Sequence, residues 1–151
     1  MAEVDLREYG PADLEAMYAL DLRCFEPPFR FSRRAMRDAA ESPGALTLLA
    51  EAEGQLAGFC LAHMQEHVGY VVTLDVAPEW RRRGLARRLM VGMEEKALEV
   101  GGEAMALHVF TGNTAAIRLY ETAGYARLGT AAAFYGPGRD ALIYQKRLDG
   151  T

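Results

Sequence analysis

The plainest chemistry lies in the segment Leu74-Asp-Val-Ala-Pro-Glu-Trp-Arg-Arg-Arg-Gly-Leu-Ala-Arg-Arg-Leu89. A β-rich run ends, Pro78 turns the chain, and a helix starts around Gly84. The first N–H groups of a helix have no intrahelical partner, and with the helix dipole they form an anion site. Gly84 removes the side chain where a phosphate would approach the backbone, and Ala86 does so in part. Arg81, Arg82, Arg83, Arg87 and Arg88 add charge around the same point and can grip phosphate oxygens bidentately. A pyrophosphate is the natural guest. The alternative is a solvated helix start, but positive charge there opposes the helix dipole unless an anion relieves it. No Gly-Lys-Ser/Thr follows, so this is not a Walker loop, nor is it a Gly-x-Gly-x-x-Gly fingerprint.

Other reactive side chains give weaker signals. Cys24 and Cys60 fit no metal or redox spacing and read as reduced, buried thiols. Cys60 sits inside an apolar strand, where a nucleophilic thiolate is disfavoured. His63 and His67 are four apart, but the segment reads as strand and turn, and no third ligand is evident, so no metal is expected.

These residues need a scaffold. Val4 to Arg7 alternates as a first strand. Pro11-Ala-Asp-Leu opens a helix to about Cys24, which Pro27 and Pro28 cannot continue. Ser32 is an N-cap for a second helix to about Glu41. Ala45 to Ala52 and Leu56 to Met64 form a hairpin, and Tyr70 to Val76 is a third β-rich run. Apolar residues at Leu85, Leu89, Met93, Ala97 and Val100 mark a helix ended by Gly101-Gly102. Ala104 to Phe110 is a strand, and Thr114 to Ala123 a helix ended by Gly124. Tyr125 to Leu128 and Ala141 to Leu148 are the last strands. The strand–helix–strand order toward the C-terminus implies a partly parallel sheet, and the hairpin an antiparallel half. The expected fold class is α/β: a mixed central sheet of about seven strands flanked by about four helices.

The 151 residues suit one domain over 1–151, long enough to bury a core without metals or disulfides. No apolar run approaches the roughly 18 residues of a membrane span. Met1 to Gly10 carries Glu3, Asp5 and Glu8 and lacks a signal-peptide core, so a cytoplasmic protein is expected. Residues 81–88 hold five arginines and no acid, while the rest of the chain holds 12 basic and 21 acidic residues. A small basic island on an acidic body excludes a duplex nucleic-acid footprint and suits one compact polyanion.

Arg81-x-x-Gly84-x-Ala86, after Leu-x-Val-x-Pro, resembles the pyrophosphate loop of the GCN5-related N-acetyltransferase (GNAT) family. A second segment is similar to that family's other cofactor motif: Asn113-Thr-Ala-Ala-Ile-Arg-Leu-Tyr120-Glu-Thr-Ala-Gly124-Tyr125. The Phe29-Arg-Phe-Ser32 stretch and Phe134-Tyr135 are similar to features of the ribosomal-protein-alanine, RimI-like branch.

The resemblance implies an acetyl-CoA-dependent N-acetyltransferase in which both substrates bind together. It implies that Leu74 to Val76 hold the pantetheine like an added strand, with the Val76 N–H on the thioester carbonyl. The backbone from Arg82 to Arg87, through Gly84, Leu85 and Ala86, would hold the pyrophosphate, with Arg81 beside it. Asn113 would bond the pantetheine arm or simply cap its helix. Tyr120 would protonate the departing thiolate, the alternative being a ring packed on the sheet.

The base is open. His108 stands where the RimI-like branch has a glutamate, and an imidazole near pKa 6.5 suits an α-amine near 8 better than a lysine near 10.4. The alternatives are a half-buried strand histidine with no role, or a water chain ending at Glu66 or Asp75. Phe29, Phe31 and Tyr135 would border the acceptor, or pack as satellite core. Three functions stay in view: acetylation of a protein N-terminal amine, acetylation of a small-molecule amine, and a catalytically silent acetyl-CoA-binding module. A monomer or homodimer is expected.

Overall fold

The computed structural model of the chain describes residues 3–148. Seven strands form one sheet: β1 (Asp5–Glu8), β2 (Ala45–Ala52), β3 (Gln55–Gln65), β4 (Val68–Val76), β5 (Ala104–Phe110), β6 (Ala126–Ala131) and β7 (Ala141–Arg147). Their order is β1-β2-β3-β4-β5-β7-β6, and only the β4–β5 pair is parallel. The mixed sheet agrees with the reading from sequence. The insertion of β7 between β5 and β6 has no local signal, so strand order was not legible there. Cross-strand pairing also lengthens two strands: Gln65 pairs with Val68, so β3 and β4 meet in a two-residue turn at Glu66-His67. Likewise β1 ends on Glu8, paired with Leu48, and β6 runs on to Ala131, paired with Ala141.

Helices α1 (Leu14–Cys24) and α2 (Arg33–Glu41) cover one face; α3 (Leu85–Glu99) and α4 (Thr114–Thr122) cover the other. In α1, Leu14, Met17 and Leu20 recur at helical spacing and are buried. Ser32 caps α2, its Oγ accepting from the Ala35 N–H at 3.1 Å. In α3, Leu85, Leu89, Met93 and Ala97 form the buried stripe, joined by Met90. Gly58 of β3 lets α3 lie close: a Cβ there would sit 2.7 Å from the Asp75 carbonyl oxygen and 3.3 Å from a Leu89 methyl. Each buried Leu or Met of that stripe contributes on the order of 2 kcal/mol.

One irregularity shapes the molecule. Along β3 and β4, Leu61 pairs with Thr73 and Ala62 with Val71, so Val72 is an extra residue in β4. Such a bulge bends its strand and strengthens the twist. Pairing of β4 with β5 stops at this point, with Val71 opposite Leu107 as the last rung. Beyond it, Val72–Val76 and His108–Phe110 diverge and leave a gap between two strands of one sheet.

Candidate active site

The gap presents backbone groups on its β4 side. The Ala77 N–H donates to the Ala57 carbonyl at 2.8 Å, which makes that rung a hydrogen-bonded one. Rungs alternate in antiparallel pairing. Gly58–Val76 and Cys60–Leu74 are therefore the intervening rungs, and the N–H and C=O of Leu74 and Val76 turn away from β3 toward the gap. The Val76 carbonyl is engaged by Arg81 Nε at 3.1 Å and by the Cys24 thiol at 3.4 Å, while its N–H keeps the open side.

Beyond β4, a 3₁₀ turn over Pro78–Trp80 leads to Gly84, the N-cap of α3. Gly84 has φ 78°, in the left-handed region that glycine tolerates best, and it offers no capping side chain. The N–H groups that open α3 at Leu85, Ala86 and Arg87 thus start a helix without a cap and lie just past the end of β4. The arginines are not one cluster. Arg81 folds back on Val76, Arg83 lies 4.7 Å over the Trp80 ring, and Arg88 turns to the Val4 carbonyl at 3.3 Å. Three of the five arginines therefore have partners within the chain, and the uncapped N–H groups of α3 are the anion-facing feature common to the segment.

Two groups flank the gap from opposite faces of the sheet. Leu107 and Val109 point into the α3–α4 core, so His108, between them, points to the α1–α2 face. Its Nδ1 is 2.9 Å from Tyr70 Oη, and its ring stacks on Phe134 at 4.0 Å. Burial lowers the His108 pKa from its ordinary value, so the imidazole is neutral at pH 7. On the other face lies Tyr120 of α4, whose ring packs 5.8 Å from Tyr125. Burial pushes the Tyr120 phenol well up, and neighbouring Cys60, Tyr135 and Asp75 add to this. Its hydroxyl has no hydrogen-bond partner among the described residues.

Two loops wall the His108 side. In the α1–α2 loop the Phe29 N–H bonds the Glu26 carbonyl at 2.8 Å, and Arg30 Nε bonds the Phe25 carbonyl at 3.1 Å. In the β6–β7 loop the Ala133 N–H bonds Asp140 Oδ1 at 2.8 Å, and the Tyr135 N–H bonds the Arg139 carbonyl at 3.0 Å. The loops meet where Phe29 lies 5.0 Å from Phe110 and 5.1 Å from Tyr135. Such aromatic pairs are each worth about 0.5–1.5 kcal/mol beyond burial, enough to hold two short loops together.

Residues 14–125 of the chain match one family model, described as acetyltransferase (GNAT) family. The chain belongs to the GNAT family. It is an acetyl-CoA-dependent N-acetyltransferase. The catalytic subunit ard1 of the N-terminal acetyltransferase A complex of Schizosaccharomyces pombe is 29% identical over 95% of this chain and 85% of its own length. N-alpha-acetyltransferase 20 of Dictyostelium discoideum is 34% identical over 70% of this chain and 64% of its own length. The crystal structure of the ribosomal-protein-S18-alanine N-acetyltransferase from Escherichia coli has the same fold, with a TM-score of 0.88 at 22% identity over 97% of this chain and 94% of that one. Among the described residues no helix is long and apolar enough to cross a membrane.

The geometry sorts the residues read from sequence for this GNAT enzyme. Leu74, Val76, His108 and Tyr120 lie on the elements that flank the gap, Gly84 to Arg87 open α3 after β4, and Asn113 opens α4 after β5. Asn113 caps α4, its Oδ1 accepting from the Ala116 N–H at 3.2 Å, which leaves the amide NH₂ unspent by the cap. Phe31 is partly buried, its ring packed against the α1–α2 core, and it has no ring contact with the aromatic wall among the described residues. Glu66 is exposed in the β3–β4 turn. Asp75 is fully buried on the α1 face, where burial and the neighbouring Asp21 raise its pKa. His63 is engaged with the Ala39 carbonyl at 2.8 Å. Tyr70 and Phe110 were missed. Alternation along β5 puts Phe110 on the His108 face, a signal present in the sequence; Tyr70 needs the β4–β5 register, which is not.

Proposed function

We propose that the chain is a single-domain enzyme that acetylates the free α-amine of a peptide or protein N-terminus, with both substrates bound at once. The observation that carries this reading is the Tyr70–His108 hydrogen bond at the mouth of the gap, walled by Phe29, Phe110, Phe134 and Tyr135. Two relatives named for N-terminal or α-amine acetylation support the same acceptor.

Bound acetyl-CoA supplies a thioester, an acyl donor with a thiol leaving group. Leu74 and Val76 hold its pantetheine arm through the backbone groups they turn to the gap, as a strand edge holds an added strand. The Val76 N–H donates to the carbonyl oxygen as negative charge develops there. The N–H groups from Arg82 to Arg87 receive the pyrophosphate, aided by the α3 dipole. The Asn113 amide NH₂ donates to the arm.

The Tyr70–His108 pair takes the amine proton. If Nδ1 carries the hydrogen and donates to Tyr70 Oη, Nε2 keeps its lone pair for the amine; if Tyr70 donates, its own oxygen is the polarised acceptor. A base whose pKa lies below 6.5 is matched to an α-amine near 8 and poorly matched to a lysine near 10.4. From the opposite face Tyr120, fully protonated, donates a hydrogen bond to the departing sulfur. Its raised pKa makes this donation, rather than full proton transfer, its main contribution.

Thiol release from acetyl-CoA tests the reading with three acceptors: a peptide with a free N-terminus, the same peptide α-blocked with a free lysine, and a polyamine. Turnover on the first alone is expected. Turnover only on the lysine peptide or the polyamine would overturn the acceptor.

A further inference from the structure

A pair of carboxyl side chains lies beneath the gap, outside the chemistry described so far. Asp21 of α1 and Asp75 of β4 are both fully buried. Asp21 Oδ2 accepts from the Phe31 N–H at 2.7 Å, and Asp75 Oδ1 accepts from Thr73 Oγ1 at 2.6 Å. The other oxygens, Asp21 Oδ1 and Asp75 Oδ2, are buried and have no hydrogen-bond donor among the described residues. Two buried carboxylates cannot share a contact without a proton between them, and one proton satisfies both orphaned oxygens at once.

We infer that Asp21 and Asp75 share one proton at neutral pH and act as a positioning pair that ties the acceptor loop to the strand that holds the cofactor. The connectivity supports this. Asp75 lies between Leu74 and Val76, whose backbone groups face the gap. Asp21 fixes the N–H of Phe31, which closes the loop that carries Phe29 to the acceptor wall. The bridge therefore sets the distance between the two binding walls without touching either substrate.

The surroundings favour a held proton. Burial is the largest cause raising the Asp75 pKa, followed by the hydrogen bond and the charge of Asp21; Thr73 and Arg81 oppose it more weakly. The other titratable groups that sense Asp75 are Cys24 from α1, Cys60 from β3 and Tyr120 from α4, and all three are themselves neutral, their pKa values raised. Arg81, just past the end of β4, opposes the shift from the side of the Val76 carbonyl, to which its Nε donates.

The inference rests on the proposed acceptor side of the site, so its test reads the proton separately from turnover. Infrared difference spectra of the whole chain, wild type against Asp75→Asn, report protonated carboxyl groups directly. At neutral pH the wild type shows a carboxylic-acid C=O band that Asp75→Asn lacks. Asp75→Asn keeps a donor for Asp21, so its acceptor KM stays within about twofold of wild type. Asp75→Ala removes the bridge and raises acceptor KM by about tenfold or more, with acetyl-CoA affinity changed by less than about threefold. Absence of the band at neutral pH overturns the shared proton even if Asp75→Ala fails to fold. Equal losses of acetyl-CoA and acceptor binding in Asp75→Ala overturn the positioning role. A band without turnover on any N-terminal peptide would keep the pair and overturn the acceptor reading instead.

Discussion

Tyr70 Oη and His108 Nδ1 stand 2.9 Å apart, one on each strand of the parallel pair, where β4 and β5 stop pairing. The Val72 bulge bends β4 away just above Tyr70, so this hydrogen bond is the last link before the gap opens. A base placed there sees both the acceptor wall and the backbone edge that holds the acyl donor.

His108→Ala should lower kcat by about 100-fold, the lower end of what a positioned general base supplies. The sign of the pH effect follows from burial, which lowers the His108 pKa. The neutral, competent imidazole persists to below its ordinary value, so the acid limb of the wild-type kcat/KM profile falls below about pH 6.5. The variant loses that limb. A pH–rate profile checks both statements, and an unchanged limb in His108→Ala would remove the base role.

The turn before α3 depends on Gly84. At φ 78° any β-branched residue is strained, so Gly84→Val should cost about 1–2 kcal/mol of stability. It also places a side chain where phosphate approaches the first N–H groups, and acetyl-CoA Kd should rise by about tenfold or more. Arg88→Ala, whose guanidinium turns to Val4, should leave that Kd within about twofold. Titration calorimetry on the three proteins measures the affinities, and denaturant unfolding measures the stability.

Much of the fold was legible because local signals agreed with tertiary demands. Ser32, the Leu85–Ala97 stripe and Ala104–Phe110 stand where sequence puts them, since capping and periodicity are short-range. Strand order and the Val72 bulge were not legible, because both are decided by which strands pair across the sheet. The site divides in the same way. Gly84, Asn113, His108 and Tyr120 sit in motifs or at a motif-defined position. The Tyr70–His108 and Asp21–Asp75 pairs are assembled by contacts between residues 38 and 54 positions apart in the chain, which no local pattern reveals.

Tyr120→Phe removes one hydroxyl with no hydrogen-bond partner among the described residues and keeps the buried ring. The melting temperature should stay close to wild type while kcat drops by about 10- to 100-fold, with both KM values within about twofold. Steady-state kinetics beside thermal unfolding separates this from a folding defect.

The shared proton also makes stability depend on pH. The folded pair holds a proton that the unfolded chain releases near the ordinary aspartate value of 3.8. A carboxyl with a raised folded pKa adds stability at low pH, and that advantage is lost as pH rises toward the folded value. Between about pH 5 and pH 7, wild type should lose about 1.4 kcal/mol per pH unit relative to Asp75→Asn. Denaturant unfolding of both proteins at the two pH values measures the slope, and parallel curves would contradict it.

The most direct test of the central claim is to incubate the enzyme with acetyl-CoA and a peptide bearing both a free N-terminus and an internal lysine, then locate the added acetyl group by fragment mass spectrometry. The account predicts acetyl on the α-amine, with the lysine left free, and loss of that product in His108→Ala. Acetyl on the lysine alone, or undiminished α-acetylation in His108→Ala, would contradict it.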